Sequence, residues 1–208
     1  RDGERAGGQI EEGEEGSKGT RRDGGRRIEG GMGGGGLAQV GISGSSLDVE
    51  IARGMAPRGR TAEGRLTTIE RIRRGGCPVR IMVAPIISAL SDHELEAILA
   101  AAASAGATAA GWIMLRLPRE VSPLFREWLA HHYPDRAARI MARVREMHGG
   151  KDYDAQWRRR MRGEGIYADL IARRFKVAVK RLGLLQKSVP LRCDLFHVPG
   201  RAVQLSLL

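Results

Sequence analysis

The sequence predicts an α/β fold in which parallel strands are covered by helices. Three observations carry that expectation. Apolar, β-branched runs occur at 37–43, 78–86 and 109–118. The stretches between them, 61–76 and 91–104, place their apolar residues at helical spacing. The connections are long enough to be helical crossovers rather than hairpins, and a β-α-β-α-β order with such crossovers calls for a parallel sheet.

Each element has its own signal. "LAQVGIS" (37–43) reads as a short strand that ends in small polar residues. In "TAEGRLTTIERIRRGG" (61–76), Leu66, Ile69 and Ile72 share one helical face and Gly75–Gly76 stops the helix. "PVRIMVAPI" (78–86) is the second strand. Ser91 and Glu94 have capping-box spacing, and Leu95, Ile98, Leu99 and Ala102 then form a buried stripe. "AAGWIMLRLP" (109–118) is the third strand, and three strands are too few to close a barrel. The rest reads as helical. "SPLFREWLAHHY" begins with Ser122 as cap and Pro123 at the first helical position, and "PDRAARIMARVREM" follows. In "YADLIARRFKVAVKRLGL", Tyr167, Ile171, Phe175, Ala178 and Leu182 form the buried face.

Composition divides the chain into three parts. Residues 1–36 mix Gly, Arg and Glu, with Ala6, Ile10, Ile28 and Met32 as their apolar side chains, so they are expected to be disordered. The abrupt change at Leu37 fits equally a segment that is not the natural upstream sequence, whether through fragmentation or a reading-frame fault. Residues 37–150 form the α/β part, and 151–208 a basic helical extension and tail. The net charge of +11 and pI near 10.7 point to a polyanionic partner, nucleic acid before membrane, or to a solvated basic surface. Two cysteines, Cys77 and Cys193, lie far apart, which indicates neither a disulfide framework nor a zinc knuckle and fits a reducing cytoplasm. No run reaches the roughly 18 apolar residues of a membrane span.

In a parallel α/β sheet the ligand lies beyond the carboxyl ends of the strands. Those ends are Ser43 to Asp48, Pro85 to Asp92 and Leu115 to Pro118. "SGSS" is suited to hydrogen-bond a ribose or carboxylate, and equally to form an ordinary turn with a helix cap. "APIISALSD" is an apolar wall rather than acid-base machinery, and nothing resembles a catalytic triad.

"GLAQVGISGSSLD", "ARGMAPRGRTAEGRL", "GCPVRIMVAPIISALSDHELEAIL", "AGATAAGWIMLRLP" and "MHGGKDYDAQWRRRMRGEGIYADLIARRF" resemble successive segments of a bacterial family of radical S-adenosylmethionine proteins. That family is related to spore photoproduct lyase and is DNA-repair-photolyase-like. The resemblance covers Leu37 to Leu208 and implies the later strands of a partial (β/α)6 barrel. It also implies a [4Fe-4S] cluster that reductively cleaves S-adenosylmethionine to a 5′-deoxyadenosyl radical. Ser43 matches a serine near the bound cofactor, and Pro85, Ile86 and Ile87 match the fifth-strand end near its adenine. Gly44 replaces a larger residue and Ala56 a usual Glu. The family's CxxxCxxC cluster motif is absent, and neither Cys77 nor Cys193 matches its ligands by position. The expectation is therefore a carboxyl-terminal portion of such a protein, inactive alone, whose intact form acts on nucleic acid. The competing readings are a non-catalytic nucleic-acid or clamp-binding module and a non-functional fragment.

"WRRRMRGEG" (157–165) concentrates charge at Arg158, Arg159, Arg160 and Arg162 beside Trp157. These side chains are candidates for phosphate contact and base stacking, or for a solvated helix face. His131 and His132 are adjacent and cannot both point to one metal from a regular helix. Asp152 and Asp154 follow a Gly pair and read as turn residues unless a partner is found. The tail "QLSLL" resembles the short peptide that docks on the bacterial sliding clamp. Gln204 would bond at the rim and Leu205, Leu207 and Leu208 would fill the apolar pocket.

Overall fold

The computed structural model describes residues 15–16, 33–157, 159–187 and 190–195. Most of the segment 1–36 expected to be disordered, Arg158, and the tail peptide at 204–208 lie outside the described residues. The strands are β1 (Glu15–Gly16), β2 (Val40–Gly44), β3 (Val79–Ile86) and β4 (Ala109–Met114). They form one sheet, all neighbours parallel, in the order β1-β2-β3-β4. The α/β class with parallel strands is thus the observed one.

Register places Ile42 beside Ile81 and Ile81 beside Ala110, with Val83 beside Trp112. Side chains alternate across a pleated strand, so these residues share one face. That face forms the main core with Ile69 and Ile72 of α2 (Ala62–Arg74), Ile98, Leu99 and Ala102 of α3 (Leu95–Ser104), and Ile171 and Phe175 of α7 (Ile166–Arg181). Each such Ile, Leu or Phe side chain contributes about 1.5–3 kcal/mol by leaving water. The opposite face carries Gly41, Ser43, Arg80, Met82 and Gly111, none of which belongs to either core cluster. All three helices therefore pack on a single side of the sheet.

A second core lies beyond the carboxyl ends of β3 and β4. Ile87, Leu90, Leu115 and Leu117 pack there with Ile51 of α1 (Val49–Met55), Leu129 of α4 (Val121–His132), and Ile140 and Val144 of α5 (Pro134–Glu146). The short helix α6 (Arg159–Arg162) then lies against β4.

Two cap expectations are corrected. Ser91 and Glu94 do not form a capping box. Asp92–Glu94 is a 3-10 turn, the Ser91 hydroxyl accepts the Ile87 N–H at 3.1 Å, and Glu94 turns to a different loop where three donors converge. Ser122 does not cap α4, which starts at Val121; its hydroxyl donates to Asp152 at 2.5 Å. For Glu94 and Ser122 a distant partner outcompetes the local helix start, while Ser91 bonds back to the preceding turn.

Candidate functional site

The loops after β2 and β3 are tied together by one carboxylate. Glu94, 9% exposed, accepts the Ser46 hydroxyl and the N–H groups of Leu47 at 3.1 Å and Asp48 at 3.0 Å. It thereby fixes the loop after β2 to the loop after β3. Asp48 in turn caps α1 by accepting from Glu50 N–H at 2.7 Å and Ile51 N–H at 3.1 Å. Asp92 accepts the Tyr167 hydroxyl, while Arg174 donates to the Asp92 carbonyl at 3.0 Å and to both Glu96 oxygens at 2.8 and 2.6 Å. Burial, reinforced by Asp92, pushes the Tyr167 hydroxyl up to about 12, and the Arg174 hydrogen bond holds Glu96 below the usual carboxylate range. These acids anchor loops and α7.

Ser43 stands at the end of β2, half-buried on the face opposite the main core. Arg65 of α2 reaches it, donating to its carbonyl and to its hydroxyl at 3.3 Å. Burial lowers the Arg65 pKa. This contact was not visible in the sequence, where the two residues are 22 positions apart. Ser43, Met82 and Gly111 form one register row across the face opposite the main core. A side chain on Gly111 would stand 2.7 Å from the Met82 sulfur, so Met82 occupies the space that glycine leaves. Pro85 is half-buried at the end of β3, whereas Ile86 and Ile87 are 2% and 0% exposed and belong to the two cores.

The donor set does not fit an iron–sulfur cluster. Cys77 is buried just before β3, at the opposite end of the sheet from Ser43, and Cys193 is exposed in a 3-10 turn (Cys193–Leu195). Cluster ligation needs several thiolates held together. Among the described residues no group of three or more His, Cys, Asp or Glu side chains is placed to hold a metal. His131 and His132 meet edge to face at 4.8 Å, and His132 packs beside Trp128 at 5.2 Å.

The arginine run does not behave as one unit. Arg159 pairs with Glu164 at 2.9 Å and Asp154 at 3.7 Å. Arg160 lies 4.3 Å over the ring of Trp157, which is 76% exposed, and Arg162 lies 4.1 Å over Trp112. Arg116, just beyond β4, joins them: it donates to the Tyr153 hydroxyl at 3.3 Å and contacts the Met161 sulfur at 3.8 Å. Asp152 has partners beyond turn chemistry, accepting from Ser122, Arg126 and Arg145. No helix among the described residues is long and apolar enough to cross a membrane.

The chain is 32% identical over 136 residues to uncharacterized proteins of Mycobacterium tuberculosis, in two strains, and of Mycobacterium bovis. The match takes in 64% of this chain and 38% of each relative, so the chain spans well under half the length of the curated relatives it matches. No protein-family model matches it. No solved structure matches it either.

Proposed function

We propose that this chain is the carboxyl-terminal portion of a cytoplasmic radical S-adenosylmethionine protein, related to spore photoproduct lyase, whose intact form acts on nucleic acid. The observation that carries the reading is the one-sided sheet. Strands β2, β3 and β4 follow chain order and place their helices on a single face, with Gly41, Ser43 and Gly111 on the other. That is the arrangement of an arc of a (β/α) barrel, whose small or polar inner residues face a lumen. A doubly wound sheet carries helices on both faces. The sequence resemblance suggests the chemistry, and the one-sided sheet supports placing it at the strand ends.

Within that reading, Ser43 and Pro85 border the cofactor in the intact protein. Ile86 acts by packing, since its side chain is 2% exposed. Arg65 fixes the Ser43 hydroxyl and carbonyl and so sets the end of β2. The cluster has no ligands among the described residues, so radical chemistry requires thiolates from elsewhere. Reading the encoding DNA upstream of Leu37 in all three frames tests the proposal. A CxxxCxxC motif is expected there; its absence over the length of a half barrel would contradict the reading.

A second reading, a nucleic-acid-binding module without catalysis, is favoured by one observation: Arg160 and Arg162 lie on tryptophan rings with no carboxylate partner among the described residues. Docking on a sliding clamp through Gln204, Leu205, Leu207 and Leu208 is compatible with either reading.

A further inference from the structure

We propose that the surface formed by α6 and the carboxyl half of β4 binds unpaired nucleic acid, with Arg116, Arg160 and Arg162 meeting phosphates and Trp157 stacking on a base. The inference rests on the nucleic-acid part of the reading above and is independent of its cofactor chemistry.

Three guanidiniums are gathered here against aromatic rings: Arg160 at 4.3 Å from Trp157, Arg162 at 4.1 Å from Trp112 and Arg116 at 5.9 Å from Tyr153. None has a carboxylate partner among the described residues, whereas the neighbouring Arg159 has two. The Nε atoms of Arg116 and Arg160 are shielded and lack a hydrogen-bond partner. Folding alone gives no reason to collect like charges and leave such donors unmade, because both cost stability. A polyanion removes the repulsion and takes the outward N–H groups, and guanidiniums already held beside rings lose little freedom on binding it.

The aromatic component selects unpaired strands. Trp157 is 76% exposed, so with Arg160 over the ring much of the indole still faces solvent. In a duplex the base faces are stacked on one another and out of reach. In a single strand each base has a face free for an aromatic platform, and cationic side chains track the backbone beside it. The position fits delivery of a strand to the candidate site, since Arg116 lies two residues past the carboxyl end of β4.

The test uses the full chain, without cofactor, in fluorescence anisotropy with labelled oligo-dT and oligo-rU of about 12 nucleotides and a duplex of equal length. Both single strands probe the same chemistry, and a preference between them identifies the polymer. Unpaired strands are expected to bind on the order of 10-fold more tightly than the duplex. Replacing Arg116, Arg160 and Arg162 together with Ala should reduce the slope of log affinity against log salt by about 2, from about 0.7 per single-strand phosphate contact. Trp157→Ala, at an exposed position, should weaken binding about 10- to 100-fold with the slope unchanged. Arg159→Ala should change affinity less than about 2-fold, its charge being already neutralised. Equal affinity for duplex, an unchanged affinity in Trp157→Ala, or a triple variant no weaker than Arg159→Ala would overturn the proposal. An upstream frame without cysteines would remove the radical reading and leave these outcomes as they are.

Discussion

Asp152 is the point at which the loop after α5 is held to the helical pair, and its replacement by Asn gives a worked test of the packing account. The carboxylate accepts from Ser122 at 2.5 Å, from Arg126 Nε at 3.0 Å and from Arg145 Nε at 2.9 Å, and its side chain is 18% exposed. Burial raises its pKa, and the hydrogen bonds from Ser122, Arg126 and Arg145 outweigh that effect and hold it at about 2 against an ordinary value of 3.8. A fall of that size corresponds to ~2.4 kcal/mol at 1.36 kcal/mol per pH unit. Solvent screening at the partly exposed arginines reduces the expected contribution to about 1–2 kcal/mol. The sign follows from linkage. A carboxyl group whose folded-state pKa is depressed stabilises the fold fully above its unfolded value near 4, and loses that contribution as pH falls through about 2. Urea unfolding of Asp152→Asn should therefore show a deficit of about 1–2 kcal/mol at pH 7 that shrinks on acidification through this window. A deficit of the same size at both ends of the window, or none at pH 7, would refute the reasoning.

Two further perturbations probe the strand ends and the cysteines. Glu94→Ala removes the acceptor of the Ser46 hydroxyl and of the Leu47 and Asp48 N–H groups, and should cost about 2–5 kcal/mol in thermal or urea unfolding. A loss below about 0.5 kcal/mol would mean that the two loops hold their positions without it. In thiol titration with an aromatic disulfide, exposed Cys193 should react in the native protein and buried Cys77 only on unfolding; simultaneous reaction of both would contradict the burial of Cys77.

Much of the fold was legible because it rests on local periodicity. The three apolar runs, the helical stripes of Leu66–Ile72 and Leu95–Ala102, and the buried face of α7 each repeat within a few residues. The misses share a different cause. Glu94 has capping-box spacing from Ser91, yet its partners stand 46 to 48 positions away. Ser122 is spent on Asp152, 30 positions on. The contact between Arg65 and Ser43 depends on α2 folding back over the end of β2, which no local pattern encodes. The arginine run was visible as charge. Its division into the paired Arg159 and the ring-bound Arg160 and Arg162 was not, because Trp112 and Arg116 come from β4 and its end.

The central proposal is that this chain carries the cofactor-facing strand ends of a radical enzyme without the thiolates that hold its cluster. Anaerobic reconstitution of the full chain with iron and sulfide, followed by reduction with S-adenosylmethionine present, tests it most directly. The account predicts no sulfide-to-iron charge-transfer absorption in stoichiometric amount and no 5′-deoxyadenosine, because two cysteines, one of them buried, cannot replace a loop of three thiolates. A stoichiometric [4Fe-4S] absorption together with 5′-deoxyadenosine would contradict it.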